Sequence, residues 1–318
     1  MMATRSLGGS GMRVSAIGLG CWQFSQGKGI LGRYWRVLGD EAITDIIRTS
    51  LNAGVNWFDT AEAYGWGASE AALARGLSSL HKSPGEILIA TKWWPALKTA
   101  RSLLATIDSR LNALGGYPID LYQVHQPYGF SSVEKEMDAM ARLIGDKKIR
   151  NVGVSNFDAP QMRRADARLR HHGLRLASNQ VRYSLLAREI ESNGILATAK
   201  ELGVSIIAYS PLAQGLLTGK FHDDPEKTHG VGIRKYLSDF SRSRLERTRP
   251  LISLLKQVAS AHGATPSQVA LQWVVSAHGE TIVAIPGATS TSHAKENAEA
   301  MDVELTQQEL RQLDEASR

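Results

Sequence analysis

One cysteine, Cys21, stands in a chain of 318 residues, so no internal disulfide framework can form and no cysteine cluster can hold a metal. That scarcity fits a reducing, cytoplasmic setting. No stretch approaches the roughly 18 uninterrupted apolar residues of a membrane span. The start, MMATRSLGGSGMRVSAIGLG, has no apolar run behind a basic region and reads as neither signal nor transit peptide. The expectation is a soluble, intracellular protein with no membrane partner. Charge of one sign is also in short supply. The 37 Lys and Arg against 31 Asp and Glu leave a net +6, which helps attract an anionic ligand without demanding nucleic acid. With 43% hydrophobic and 21% charged residues, the composition suits one large barrel or two smaller domains, and length alone does not choose.

What is present is a repeated alternation. Short β-branched runs, VSAIGLG, VNWFDT, ILIATK, IDLYQVH, IRNVGVS, ASNQV, VSIIAYS and TIVAIP, are separated by segments with helical spacing. Examples of the latter run from Glu41 to Asn52, Ser69 to Leu80, Ala100 to Leu114, Val133 to Ile144 and Glu189 to Leu202. Strand then helix, repeated in this way, predicts a (β/α)8 barrel of α/β class, a single domain over residues 1–318. The opening SLGGSGMRV reads as a hairpin that closes the barrel's bottom. A doubly wound sheet stays open on pattern alone. Two glycine motifs that bear on it are incomplete. Gly18 and Gly20 begin a dinucleotide fingerprint, but Gln23 stands where its third glycine should be. The run Gly215 to Phe221 is one residue short of a phosphate-binding loop and ends in Phe221 instead of a magnesium-holding Ser or Thr.

Four polar residues, Asp59, Tyr64, Lys92 and His125, recur at spacings of 5, 28 and 33. Asp59, Lys92 and His125 each mark a place where an apolar run ends, and in a parallel barrel those ends share one face. A neighbouring ammonium lowers a tyrosine pKa, so Lys92 can activate Tyr64 as a proton donor. Asp59 would hold the ammonium, and His125 would orient a substrate oxygen beside the phenol. Each residue alone is more often a helix cap or a structural side chain. Together they describe a site that reduces carbonyls.

With these residues and several further motifs in view, the chain resembles the aldo-keto reductase superfamily over essentially its whole length, near the bacterial and plant members similar to potassium-channel β subunits. The further motifs are GLGCW, NVGVSNF, SNQV, AYSPLAQGLLTGKF and IPGATSTSHAKEN. The resemblance implies the barrel and a nicotinamide dinucleotide extended across its C-terminal face. It implies that Ser155, Asn156 and Gln180 bond the nicotinamide carboxamide, that Tyr209 stacks on the ring, and that Cys21 and Trp22 line the same end. Ser210, Leu212, Gln214, Gly215 and Lys220 would line the pyrophosphate. Gly287, Thr289, Ser290 and His293 would surround the adenosine 2′-phosphate, with Glu296 and Asn297 at the adenine. Many relatives carry Lys or Arg near Gly287, Thr289 or His293, and here only His293 is a candidate cation. NADPH is favoured by family habit and NADH stays possible. No metal is expected.

The substrate is read as a small carbonyl compound. Five of the seven tryptophans fall behind the first three strands, beside Phe24 and Tyr34, and Trp22, Trp66 and Trp93 are the expected pocket wall. Trp35 and Trp94 read equally as wall or as packing between barrel and helices. The stretch from Gln23 to Asp40 is the expected specificity loop. The chain ends at Arg318 soon after a helical LTQQELRQLDEAS, so the pocket is expected to be open on one side. A basic, helix-poor stretch from Phe221 to Pro250 reads as a cover for the pyrophosphate or as a solvated face. Two other readings remain: an NAD-linked alcohol or sugar dehydrogenase running in reverse, and a nicotinamide-sensing subunit. Oligomeric state is not legible.

Overall fold

The computed structural model describes residues 4–32, 34–224, 226–227 and 240–318. Two antiparallel strands, β1 (Thr4–Ser6) and β2 (Arg13–Ser15), precede eight parallel ones. These are β3 (Leu19–Gly20), β4 (Trp57–Asp59), β5 (Leu88–Trp93), β6 (Leu121–Val124), β7 (Val152–Ser155), β8 (Leu176–Arg182), β9 (Ser205–Tyr209) and β10 (Ile282–Ala284). They pair in chain order, and the sheet closes through Ile17 beside Ala284 and Gly20 beside Gly287. The expected barrel and the hairpin at its bottom are both present.

Helices wrap the outside: α1 (Gly29–Gly32), α2 (Asp40–Asn52), α3 (Ala68–Ser79), α4 (Arg101–Ala113), α5 (Val133–Gly145), α6 (Ala159–His171) and α7 (Ile195–Leu202). After β9 come α8 (Lys220–Asp223), α9 (Arg242–Ala261) and α10 (Pro266–Ser276), and after β10 come α11 (Thr291–Glu299) and α12 (Gln307–Ala316). Local chemistry sets the starts of several. Asp158 with Gln161, Thr265 with Gln268 and Thr306 with Glu309 form reciprocal capping boxes at α6, α10 and α12. Among the described residues, no helix is long and apolar enough to cross a membrane.

Two expectations need correction. The segment from Glu189 to Leu202 is not one helix: a 3-10 turn (Glu189–Glu191) stops before Gly194, whose φ of 88° is left-handed, and α7 starts only after it. The Asn193 side chain accepts from the Ile195 amide at 3.1 Å and resets the chain there. The stretch read as helix-poor is helical from Arg242 onward, because Ser241 caps α9 by accepting from the Arg244 amide. Residue 225 and residues 228–239 of it lie outside the described residues.

The barrel interior is layered. Trp57, Ala90, Leu121, Ala177, Ile207 and Val283 form an apolar layer, plugged from below by Leu7, Met12 and Val14 of the hairpin segment. Side chains alternate across a strand, so two residues further up four of these strands the inward positions are Asp59, Lys92, Gln123 and Tyr209. On β8 the register slips: Val152 and Gly153 pair with Leu176 and Ser178, which leaves Ala177 as an extra residue and carries Gln180 to the same upper level. The outer faces, including Phe58, Ile89, Val154, Leu176 and Ile206, pack against the helices in a second apolar shell.

Glu136 of α5 is 2% exposed, with its carboxyl close against Gly129 in the loop after β6. Burial raises its carboxyl to about 8. A raised carboxyl costs nothing below its unfolded value near 4.5 and destabilises progressively as pH rises towards 8. Glu136→Gln should therefore stabilise the protein by about 1–3 kcal/mol near pH 9 and leave it unchanged near pH 4. Thermal unfolding at the two pH values checks this, and an equal shift at both would refute the ionisation account.

Candidate active site

The upper inward ring is polar, and its members meet. Lys92, fully buried, places Nζ 2.5 Å from Asp59 Oδ1, donates to the Thr60 carbonyl at 2.9 Å and lies 3.5 Å from the Tyr64 hydroxyl. The other Asp59 oxygen accepts from Gln180 Nε2 at 2.9 Å and from Gln123 Nε2 at 3.1 Å. Burial opposes the Lys92 charge, but Asp59 and Tyr64 outweigh it and hold the ammonium above its ordinary value.

Tyr64 comes from the turn between β4 and α3. Its carbonyl accepts from the Ser69 amide at 3.1 Å. The Ser69 hydroxyl donates to the Cys21 carbonyl at 2.6 Å and accepts from Thr60 at 2.8 Å, so one buried serine ties β3, β4 and α3 around the phenol. The expected lowering of the Tyr64 pKa does not carry the balance. Burial pushes the phenol up, Lys92 works against that, and Asp59 adds to it. Tyr64 therefore holds its proton at neutral pH. His125 packs edge-on to Tyr64 with ring centroids 5.7 Å apart, and burial, with Lys92 adding to it, pushes the imidazole well below its ordinary value. Its Nδ1 is buried with no hydrogen-bond partner among the described residues. A neutral imidazole keeps one N–H, which can serve an oxygen beside the phenol.

These residues form one end of a cavity of about 1100 Å³ on the C-terminal face of the barrel. Around that end lie Cys21, Trp22, Asp59, Tyr64, His125, Ser155, Asn156, Gln180 and Tyr209. Ser155 donates to the Gln180 carbonyl at 2.8 Å, Asn156 Nδ2 to Ser155 at 3.1 Å, and the Tyr209 hydroxyl to Asn156 Oδ1 at 3.0 Å. Ser210, Leu212, Gln214, Gly215 and Lys220 continue the wall, and Gly287, Thr289, His293, Glu296 and Asn297 finish it. Ser210, Ala213 and Gln214 have φ of 51°, 46° and 57°, and Gly215 has 95°. Left-handed backbone costs a non-glycine residue free energy, and such a bend turns successive amides to one side, which suits an anion.

Four expected residues fall elsewhere. Lys92 lies behind Asp59 and Tyr64 and does not line the cavity. Ser290 caps α11 by accepting from the His293 amide at 3.2 Å and is not on the wall. Trp93 is a correction: it points outward from β5 into the helix layer, fully buried, and donates to Ser102 at 3.0 Å. Trp66 is another, exposed at 64% and outside the cavity wall because its left-handed φ of 56° turns it away. Phe24 is core. Trp35 and Trp94 are wall residues: Trp35 packs edge-on to Trp22 at 5.9 Å, and Trp94 edge-on to His125 at 5.1 Å. Trp22 stacks between Tyr34, at 4.8 Å, and Tyr64, at 5.9 Å. Sequence reasoning missed Gln123, Arg36 and Arg182, although Gln123 lies two residues before His125 and Arg182 two after Gln180.

The arrangement can give a proton to an oxygen held between Tyr64 and His125, with a long groove beside it for an extended ligand. The sequence model of the Aldo/keto reductase family matches residues 16–318. An uncharacterized oxidoreductase of Mycobacterium tuberculosis is 37% identical over 307 residues, covering 96% of this chain and 90% of that protein. A glycerol dehydrogenase from Gluconobacter oxydans superposes with a TM-score of 0.83 at 26% identity, covering 99% of this chain and 94% of the other. An aldo-keto reductase from Klebsiella pneumoniae, solved in complex with NADPH, superposes at 0.74 with 26% identity, covering 99% and 95%.

Proposed function

Because the chain belongs to the aldo/keto reductase family, we propose that it reduces aldehydes and ketones to alcohols with a reduced nicotinamide dinucleotide, and that Tyr64 is the proton donor. The observation that carries this is the buried Asp59–Lys92–Tyr64 chain facing a neutral His125. The groove fits the cofactor. Its wall runs from Tyr64 to Asn297 and includes Ser210, Gln214 and Gly215, whose left-handed backbone, with that of Ala213, would offer amides to a pyrophosphate. When bound, the dinucleotide supplies the hydride.

The chain's own residues do the rest. His125 donates an N–H bond to the substrate oxygen and fixes it beside the Tyr64 hydroxyl. As negative charge grows on that oxygen, Tyr64 passes its proton across, and the Lys92 ammonium at 3.5 Å stabilises the phenolate left behind. Asp59 keeps Lys92 in place and charged. Asn156 and Ser155 offer an amide and a hydroxyl to the carboxamide. Gln180 has turned Nε2 to Asp59, so its Oε1 is the atom for a carboxamide NH2.

Lys220 lines the far end of the cavity as a cation for a 2′-phosphate, and His293, whose imidazole burial and then Lys220 hold below its ordinary value, would meet that phosphate as a neutral hydrogen-bonding ring; the relative solved with NADPH supports that cofactor over NADH. Quenching of tryptophan fluorescence by either dinucleotide, followed by 4-nitrobenzaldehyde in the same cuvette, tests binding and chemistry together. Tighter NADPH binding and aldehyde-dependent oxidation are expected. Binding without turnover of any aldehyde would sink the reductase reading in favour of a nicotinamide sensor. The likeness to a glycerol dehydrogenase keeps the reverse, alcohol-oxidising direction as a second reading, and alcohol-dependent NAD reduction exceeding aldehyde reduction is its signature.

A further inference from the structure

Where β5 ends, the chain leaves the sheet and the next N–H needs an acceptor outside the ladder. At Trp94 that acceptor is a side chain. Glu62, 7% exposed in the turn between Asp59 and Tyr64, takes the Trp94 amide on Oε2 at 3.0 Å and the Lys98 ammonium on Oε1 at 2.7 Å. Its own backbone is fixed at both ends: the Glu62 N–H donates to the Lys92 carbonyl at 3.1 Å, and the Glu62 carbonyl accepts from the Gly67 amide at 3.1 Å. One residue therefore clamps the turn that carries Tyr64 to the loop that follows Lys92.

Glu62 does not line the cavity, but Trp94 does. Pro95 follows it and disfavours helical backbone at Trp94, and the indole stands edge-on to His125 at 5.1 Å. His125 is held separately, its backbone N–H donating to the Trp93 carbonyl at 3.0 Å. The Lys98 carbonyl accepts from the Phe130 amide at 2.8 Å, so the loop after β6 is tied to the same anchor.

We propose that Glu62 is a positioning residue that sets substrate selectivity: through the Trp94 amide it holds the indole as a fixed wall beside His125, against which the flat body of an aromatic carbonyl substrate packs. This rests on the carbonyl-reductase reading and adds a residue to it. A carboxylate makes a shorter, stronger hydrogen bond than a neutral acceptor, and a wall set in advance need not be ordered when substrate binds. The effect falls on substrates wide enough to reach the indole. The probes are 4-nitrobenzaldehyde and the much smaller propanal, each with NADPH, and the readouts are KM and kcat taken separately.

In Glu62→Ala the KM for 4-nitrobenzaldehyde should rise about tenfold, the scale of one lost charge-assisted hydrogen bond, with kcat within about twofold of wild type and both propanal values unchanged. Glu62→Gln keeps an oxygen for the Trp94 amide but not the charge, so the same KM should rise about threefold, and this variant carries the comparison if the alanine one does not fold. Trp94→Ala should raise that KM too, and Glu62→Ala added to it should raise it no further, because the carboxylate acts through the indole. Unfolding curves and NADPH titrations on each variant separate this from misfolding and from lost cofactor. The inference fails if the 4-nitrobenzaldehyde KM stays at its wild-type value, if both aldehydes lose equally, or if the Glu62 and Trp94 effects add. Reduction of neither aldehyde by the wild type with either dinucleotide would instead overturn the reductase reading, and this one with it.

Discussion

Tyr64→Phe should lower kcat for aldehyde reduction by about 10² to 10⁴, the range for a positioned general acid, while NADPH still quenches tryptophan fluorescence with wild-type affinity. Among the described residues the phenol's hydroxyl is tied through the long contact to Lys92, so its loss leaves Ser69 and Thr60 to hold the turn. The wild-type rate of reduction should be flat through neutral pH. Burial keeps the phenol protonated, so the proton-donating form is lost only on the alkaline side of the ordinary tyrosine value of about 10. His125 is neutral throughout that window and contributes no acid limb above its depressed value. A variant that retained a tenth or more of the wild-type kcat would remove Tyr64 from the role of acid.

Lys92→Met is expected to be the more disruptive change, because it acts on folding as well as chemistry. Both partners of this ion pair are at most 1% exposed. Taking away the ammonium strands the Asp59 carboxylate with two amide donors, Gln123 and Gln180, and breaking a buried pair in this way costs about 3–5 kcal/mol. Activity should fall at least as far as in Tyr64→Phe. The double variant Asp59→Asn with Lys92→Met separates the two effects: it should recover most of the stability, since no lone charge remains, and none of the activity. Urea unfolding alongside steady-state rates makes the comparison. If the single variant unfolds within about 1 kcal/mol of wild type, Asp59 is not held as a buried ion and the account of Lys92 is wrong.

The four residues proposed as catalytic meet in one place, and three of them, Asp59, Lys92 and His125, were legible because each marks a chemical break at the end of an apolar run, as a strand end in a barrel does. Gln123 was not, since it lies inside such a run and its role appears only when inward positions are counted in steps of two from Leu121. The tryptophans show the same limit. Trp93 and Trp94 are neighbours in sequence and face opposite ways, so closeness to Lys92 said nothing about which one lines the cavity. Trp66 was misplaced by a left-handed turn that neighbouring glycines permit but do not announce. The net effect of burial on Tyr64 was likewise out of reach, because the sequence supplies the ammonium beside the phenol but not the depth at which both are buried.

The hairpin segment that plugs the barrel has a consequence for proton supply. With Leu7, Met12 and Val14 seated against the lower apolar layer, Lys92 and Tyr64 stand in a vessel stoppered at its base. In the proposed mechanism each cycle spends one Tyr64 proton, and with the base stoppered its replacement is expected through the cavity mouth that would also admit the substrate and release the alcohol. Recharging the acid is thereby tied to product departure, so a slow-leaving alcohol would also starve the next cycle of its proton.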